Sequence, residues 1–131
     1  MDKTNIELPG CELELIAREG NQVRLRFSRA ILIKSMTGAR ERTRWWQAGE
    51  LIFDEAEVEG DLPAGPLICD GGDVGENIYT YRDMLPIPLE SQGRAWCNLR
   101  FRNTDARLRL EASGVRLRME DLPHYIEHIR G

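Results

Sequence analysis

Apolar residues alternate with polar ones along most of the chain, and this period of two limits the fold more than any other feature of the sequence. Successive side chains of an extended strand point to opposite faces, so the pattern buries one face and leaves the other in water. The clearest runs cover residues 13–17, 23–27, 95–101, 108–112 and 115–119. They predict half-buried antiparallel strands and therefore an all-β fold.

The segments between these runs predict how the strands connect. Residues 19–21, Glu-Gly-Asn, separate the first two runs and predict a hairpin turn. The alternation falters at residues 28–30, which indicates a bulge. Residues 113–114, Ser-Gly, separate the last two runs and predict a two-residue turn, so residues 94–119 are expected to form a three-stranded antiparallel meander.

The middle of the chain is predicted to hold shorter strands. A charged stretch at residues 34–44 indicates a long exposed loop, which is followed by a strand over about residues 45–58. Short strands are expected at residues 67–69 and 77–82. Residues 85–89, Leu-Pro-Ile-Pro-Leu, are excluded from the centre of a sheet because each proline removes a backbone donor.

The C-terminal segment has the pattern of a short helix. Glu120 and Asp121 precede Pro123, which suits a helix start, and Gly131 lies where a helix would stop. The apolar side chains gather on one helical face, and they are Leu122, Tyr125, Ile126 and Ile129. We therefore predict one domain over residues 1–131, an all-β antiparallel sandwich or partly open barrel of about seven to eight strands with a short C-terminal α-helix.

Composition and cysteine usage indicate a cytoplasmic protein. The 131 residues are 41% hydrophobic and 31% charged, as in ordinary globular domains. Cys11, Cys69 and Cys97 are widely spaced and form no C-x-x-C pair, which is typical of free thiols in a reducing compartment. The longest purely apolar stretch, residues 30–33, is far too short to cross a membrane, and residues 1–10 lack the pattern of a secretory signal.

Charge is unevenly distributed along the sequence. Residues 45–81 contain nine acidic residues and no lysine or arginine, whereas the rest of the chain carries 18 basic and 13 acidic residues. The basic residues concentrate in the predicted meander, where arginines share the outward face with one tryptophan. The residues that we expect to form a binding surface are Arg94, Trp96, Arg100, Arg102, Arg109 and Arg118.

Arginines on this face are expected to oppose one another across neighbouring strands. A turn at residues 113–114 would set Arg109 opposite Arg118. The preceding turn would set Arg100 opposite Arg107 or Arg109. Like charges in direct opposition destabilise a sheet by some tenths of a kcal/mol per pair, so a compensating charge is expected.

Three kinds of group could supply that charge. The first is internal, because acidic side chains at residues 55–59 or 12–14 would neutralise the face without any partner. The second is a partner surface, including a second copy of the chain. The third is an anionic ligand with Trp96 as a stacking platform, but a net charge of −4 and only two lysines argue against a nucleic acid.

The sequence His124-Tyr125-Ile126-Glu127-His128 has the H-x-x-E-H spacing found in some zinc hydrolases. On a helix the two histidines would share a face, and Glu127 would be the general base for a zinc-bound water. A catalytic zinc needs a third protein ligand, and the chain contains no other histidine. The predicted apolar face also turns both histidines towards solvent, so metal-dependent hydrolysis at His124, Glu127 and His128 is the least favoured function.

Two further groups of residues suggest ligands. Residues 70–77 combine carboxylates with glycines, a composition that suits calcium, but their spacing does not match an EF-hand and a connecting loop is the simpler interpretation. Aromatic residues on short strands could line a pocket for an apolar or sugar-like ligand. These residues are Trp45, Trp46, Tyr79 and Tyr81.

The patterns favour binding over catalysis. No serine lies in a recognisable nucleophile motif, no histidine lies in a strand–loop context with a paired acid, and no cofactor is expected. We predict a small cytoplasmic interaction module that uses charge complementarity between its arginine-rich sheet face and an acidic surface, on a protein partner or on a second copy of the chain. The alternative is a small-molecule-binding barrel, or an enzyme whose pocket the sequence does not reveal.

Overall fold

The computed structural model describes residues 3–36, 38 and 40–130, and across these residues the chain forms strands, turns and bends without a helix. All the strand pairings are antiparallel. Nine strands follow one another in this part of the chain: β1 (Lys3–Glu19), β2 (Gln22–Ser35), β3 (Arg42–Asp54), β4 (Glu57–Val58), β5 (Leu67–Glu76), β6 (Tyr79–Arg82), β7 (Met84–Ile87), β8 (Glu90–Phe101) and β9 (Arg107–Ile129). The prediction of an all-β antiparallel fold is confirmed.

Six of these strands pair into a closed ring, in the order β1, β2, β3, β9, β8, β5 and back to β1. The contact that closes the ring is short, with Glu12 opposite Ile68 and Leu13 opposite Leu67. Apolar side chains from all six strands form one buried cluster, as the alternation predicts. Large, fully buried side chains in this cluster include Phe27, Phe53, Leu13, Leu25, Leu51, Leu99 and Leu108.

Beyond the ring, an open sheet continues with four of the ring strands, β1, β2, β3 and β9. β7 pairs with β1 at the edge of this sheet. The register shifts where the ring meets this sheet, between Glu7 and Glu12, between Phe27 and Ala30, and between Trp46 and Ala48. Irregularities of this kind bend the strands that carry them, so this bulge row forms a corner between the ring and the open sheet. The bulge predicted at residues 28–30 is confirmed as part of the bulge row.

Two local predictions are confirmed. Glu19 pairs with Gln22 across a tight turn, so residues 13–27 form the expected hairpin. Gly20 in that turn has a φ angle of +59°, a left-handed conformation that glycine adopts without strain. The proline-containing strand β7 lies at the end of the strand order and pairs with β1 alone among the described strands, so its missing donor interrupts no central ladder.

The turn predicted at residues 113–114 is wrong, and the three-stranded meander is wrong with it. β9 runs through these residues without turning, with Gly114 opposite Asp54 of β3 and Gln92 of β8. The alternation slips here because β9 changes neighbours, pairing with β8 over its first half and with β3 over its second. A register shift between Gln92 and Ala95 accommodates the slip.

The predicted C-terminal α-helix is also wrong. This segment is the end of β9, where Trp46 lies opposite His124 and Arg42 lies opposite Ile129. Pairing with β3 therefore replaces helical hydrogen bonding, and two register shifts in this part of β9 produce the spacing that resembles a helix. The apolar side chains that were expected to pack on the sheet are instead largely exposed: Leu122 by 79%, Tyr125 by 52% and Ile126 by 42%.

The middle of the chain holds more strand than the sequence predicts. Residues 70–76, expected to be a loop, form most of β5. The strand expected over residues 45–58 is divided at Glu55, whose φ angle is +47°, into β3 and β4. The loop expected at residues 34–44 is shorter, because β2 continues to Ser35 and β3 begins at Arg42. Thr37 and Ala39 of that loop lie outside the described residues.

Glycines in β5 allow this strand to approach β8 closely. Gly72 has a φ angle of +137°, and a side chain there would overlap the carbonyl oxygen of Asn98 and lie 2.9 Å from the Cα atom of Leu99. Asp83 holds Gly72 in place through two hydrogen bonds. The backbone amide of Gly72 donates to the carboxylate of Asp83 at 2.9 Å, and the backbone amide of Asp83 donates to the carbonyl of Gly72 at 2.8 Å.

We expect Gly72→Ala to lower the free energy of unfolding by about 3 kcal/mol, because it combines an unfavourable backbone conformation with overlap against β8. Urea denaturation followed by circular dichroism measures the change. Gly20→Ala is the matched control, since Gly20 also has a positive φ angle but no neighbouring atom within 4 Å of an added side chain. The control should cost about 1 kcal/mol. Equal costs for the two variants would contradict the close approach of β5 to β8.

Candidate functional site

The outward side of β8 and of the first half of β9 carries most of the predicted binding residues, and we call it the arginine face. Its residues alternate with Cys97, Leu99 and Leu108, which are buried in the ring, so they point to solvent. The arginine face consists of Arg94, Trp96, Asn98 and Arg100 of β8, Arg102 in the turn that follows β8, and Arg107, Arg109 and Glu111 of β9.

The register between β8 and β9 defines which side chains are neighbours on this face. Trp96 lies opposite Glu111, and Arg100 lies opposite Arg107. The prediction that Arg100 lies opposite Arg107 or Arg109 is therefore confirmed, and the residue opposite it is Arg107. The predicted opposition of Arg109 and Arg118 is wrong, because both residues belong to β9. Arg118 lies opposite Glu50 of β3, about 30 Å further along β9 at ~3.3 Å per residue, and is not part of the arginine face.

Acidic side chains of the same chain lie beside four of these arginines. The shortest distances between the charged groups are 3.4 Å for Arg94 and Glu111, 3.8 Å for Arg109 and Glu59, 3.9 Å for Arg100 and Asp83, and 3.6 Å for Arg102 and Asp70. Glu59 and Asp70 come from the acidic segment at residues 45–81. Internal compensation, the first of the three possibilities, thus operates on this face. Each pair is exposed and long, so each contributes little to stability.

Two charges beside these pairs have no such partner. Glu57 of β4 lies opposite Glu111 of β9, so two carboxylates meet across this short pairing. Arg107 lies opposite Arg100. Among the residues that the structure describes, neither Glu57 nor Arg107 has an opposite charge within ion-pair distance. Glu57 and Arg107 are therefore uncompensated charges near the arginine face.

Trp96 lies flat on the sheet because its neighbour on β5 is a glycine. Gly75 is directly opposite Trp96, and a side chain at position 75 would overlap the indole ring. The ring is therefore partly covered by the β5 backbone, while the rest of it lines a surface pocket. An indole held in this way presents a rigid apolar surface to a partner.

The pocket beside Trp96 has a volume of about 550 Å³. Its lining residues are Glu57, Val58, Glu59, Arg94, Trp96, Cys97, Asn98, Arg109, Leu110 and Glu111. The side-chain oxygen of Asn98 is buried and receives no hydrogen bond from the described part of the chain. A buried acceptor without a donor is unfavourable, and a bound molecule would supply a donor only if the Asn98 side chain turned towards the pocket.

The two histidines of the H-x-x-E-H segment do not form a metal site. His124 stacks on Trp46 at 4.1 Å between ring centres, and His128 lies 2.8 Å from the hydroxyl of Tyr125. The register places His124 beside Trp46 and His128 beside Thr43, which are on opposite faces of β3, so the predicted shared face is wrong. Across residues 3–36, 38 and 40–130, no group of three or more metal-ligating side chains converges.

The calcium and aromatic-pocket hypotheses also lack the required convergence of side chains. The two aspartates of the glycine-rich segment point to different arginines, Asp70 to Arg102 at 3.6 Å and Asp73 to Arg82 at 3.1 Å. Trp45 is on the open sheet, beside the ammonium group of Lys34 at 4.3 Å. Tyr79 and Tyr81 are on β6, next to the ring. The four aromatic residues thus line no common pocket.

The cysteine side chains are all buried and form no disulfide. Burial raises the pKa of Cys11 to about 12 and that of Cys69 to about 11. Burial raises the pKa of Cys97 as well. A thiol whose pKa is raised stays protonated, and only the thiolate is a good nucleophile or metal ligand. The three cysteines therefore act as small apolar core residues.

Sequence reasoning did not include Glu57, Arg107 and Gly75 among the binding residues, although it placed Arg107 on the same face and named residues 55–59 as possible compensating acids. Arg107 lies two residues before Arg109, so the alternation places both on one face of the strand and could have identified Arg107 as a member of the site. Glu57 and Gly75 reach the site only through pairing of β4 with β9 and of β5 with β8, and no local pattern reports such pairing.

Comparison of the chain with protein-family models, with curated protein sequences and with solved structures finds no match. Among the described residues, no helix is long and apolar enough to cross a membrane.

We expect the three thiols to resist an aromatic disulfide reagent at about pH 9, where half of the free thiols would be ionised. In urea all three should react at once. The folded thiols keep their protons, whereas the thiols of the unfolded chain lose theirs above a pKa of 9.0. The stability that the protonated thiols contribute is therefore complete below pH 9.0 and is lost as the pH rises towards about 12. The absorbance of the released thiolate, recorded with and without urea over a pH series, measures both effects. Rapid reaction of the folded protein at pH about 8 would show that a thiol is accessible.

Proposed function

We propose that the protein is a non-catalytic interaction module that binds an acidic surface through the arginine face. The observation that carries this proposal is the direct opposition of Arg100 and Arg107 on neighbouring strands. Only a distant carboxylate, that of Asp83 at 3.9 Å, lies beside Arg100. An acidic group of a partner placed over these two positions would compensate both positive charges.

The internal ion pairs are compatible with partner binding. The side chains of Arg102 and Asp70 are 47% and 53% exposed, and their charged groups are 3.6 Å apart. Because such pairs are weak in water, a partner carboxylate can replace the internal one at little cost. The internal acids then reduce binding to unrelated anions without preventing binding to a well-placed acidic surface.

The cysteine thiols are buried and the two histidines lie away from this face, which favours binding over nucleophilic or histidine-based catalysis. The thiols are buried and protonated. Trp46 and Tyr125 engage the two histidines at the far end of β9. A cytoplasmic location is part of the proposal, since three free cysteines suit a reducing compartment. The ring of six strands favours the barrel-like architecture over the sandwich.

A second candidate function is small-molecule binding in the pocket beside Trp96. The buried oxygen of Asn98, which has no donor from the described residues, is the observation that favours it. The rigid indole of Trp96 would stack on a sugar ring or another flat molecule, and Asn98 would accept its hydrogen bond. Glucose is a suitable probe, and a shift of the Trp96 indole N–H resonance that Asn98→Ala abolishes would support this function.

For the interaction function, we expect a short polyglutamate peptide to shift the backbone amide resonances of Arg100 and Arg107 in a dilute isotope-labelled sample. The shifts should shrink as salt is added, because the contacts are exposed ion pairs. Replacing both residues, as Arg100→Ala with Arg107→Ala, should weaken binding about tenfold or more. Two-dimensional heteronuclear NMR spectra recorded during the titration measure both effects.

Arg130→Ala is the matched control for this titration, since it removes an exposed arginine outside the arginine face. A short polylysine peptide controls for non-specific association. Shifts spread evenly over all exposed arginines, or equal shifts with both peptides, would contradict a specific acid-binding face.

A further inference from the structure

We infer that the arginine face binds the same face of a second copy of the chain, in a dimer with twofold symmetry. This inference rests on the function proposed above and names the partner. The acidic surface that the arginines would bind is then the region of Glu57 and Glu111 on the other copy.

Two like-charged pairs lie at opposite ends of the arginine face. Arg100 and Arg107 face each other at one end, and Glu57 and Glu111 face each other at the other. Within the described part of the chain, Arg107 and Glu57 also lack an ion-pair partner. One end of the face is therefore basic and the other is acidic, so the basic end of one copy can pair with the acidic end of another.

The spacing of these ends permits exchange by a twofold axis. Arg107 and Glu57 are separated by four residues along β9 and one strand across, or about 14 Å from the standard rise and strand spacing. An axis in the plane of the interface, passing between Arg109 and Glu59, exchanges their positions. Arg107 then meets the partner's Glu57, and Arg100 comes close to the partner's Glu111. Because the interface is symmetric, each contact occurs twice.

The same axis accounts for the pocket beside Trp96. It brings the part of the Trp96 ring that the β5 backbone leaves open towards the partner's Asn98, and so covers the pocket in both copies. Tryptophan and arginine are also the residues most enriched at the energetic centres of protein interfaces.

A second copy satisfies the site better than an unrelated acidic partner. A purely acidic surface would neutralise Arg100 and Arg107 but would place further negative charge against Glu57 and Glu111. The required partner must carry both signs at the right separation. The arginine face of another copy meets this requirement without any further assumption.

Single charge reversals test the dimer directly. In the proposed dimer, Arg107→Glu places the new glutamate against the partner's Glu57, and Glu57→Arg places the new arginine against the partner's Arg107, so each variant brings like charges into contact with its own kind. Mixed in equal amounts, the two variants place opposite charges at both ends of the interface and should associate with each other. Sedimentation velocity over a concentration series up to ~1 mM detects weak as well as tight dimers.

We expect the unaltered chain to dimerise more weakly as salt is added. Each charge reversal alone should weaken its dimer at least ~10-fold, and the equimolar mixture should recover dimerisation close to that of the unaltered chain. Arg130→Glu and Glu41→Arg, which make the same charge changes elsewhere on the surface, should dimerise like the unaltered chain. Residues 57 and 107 are both exposed, so neither reversal should disturb the core. Unchanged far-UV circular dichroism verifies that each variant is folded.

The outcomes separate this inference from the proposed function. A chain that stays monomeric throughout the concentration series, or a dimer that neither reversal weakens, overturns the inference. If the chain is monomeric but the polyglutamate peptide still shifts Arg100 and Arg107, the arginine face is an acid-binding surface for another partner. If the chain is monomeric and the peptide is not bound, both proposals are wrong.

Discussion

The backbone pairing of one long strand holds this fold together. β9 spans 23 residues and pairs with β8 along its first half and with β3 along its second. β8 and β3 are joined through β9 in the strand order, so the ring cannot close without it. The closing contact between β5 and β1 involves two residue pairs and adds little by comparison. The arginine face lies on the half of β9 that pairs with β8, which fixes its side chains on a rigid sheet.

The sequence was sufficient for those parts of the fold that local patterns determine. Alternation identified the strands, and turn composition identified the hairpin at residues 13–27. The faltering alternation at residues 28–30 correctly indicated a bulge. At residues 113–114 the same reasoning failed, because Ser-Gly has the composition of a turn and the chain continues straight. Which outcome occurs depends on whether β3 and β8 are both available as neighbours, and local sequence does not report this.

The prediction of a C-terminal helix failed for a related reason. Register shifts on either side of His124 and Tyr125 break the period of two, and the remaining apolar positions resemble one face of a helix. Intrinsic preference for helix in such a short segment is weak, and pairing with β3 outweighs it. The two histidines of the H-x-x-E-H motif share a face only on a helix with 3.6 residues per turn. Because the segment is a strand, the motif does not bring them together.

For the candidate site, alternation correctly placed most of the predicted arginines on one face and set Arg100 opposite Arg107. It could not show that Glu57 meets Glu111 or that Gly75 lies beneath Trp96. These neighbours come from strands far apart in the sequence, and only the completed ring brings them together. The segregation of acidic and basic residues along the chain was a correct signal of proximity, although it did not identify individual partners.

The bulge row has a consequence for how the chain tolerates changes in length. An extra residue inside a regular strand turns every later side chain to the opposite face. At the bulge row, β1, β2, β3 and β9 already change register, so an inserted or deleted residue there can be absorbed locally. The ring and the open sheet can therefore diverge independently, and a lineage could remodel the Trp46 and His124 end while leaving the arginine face in its original register.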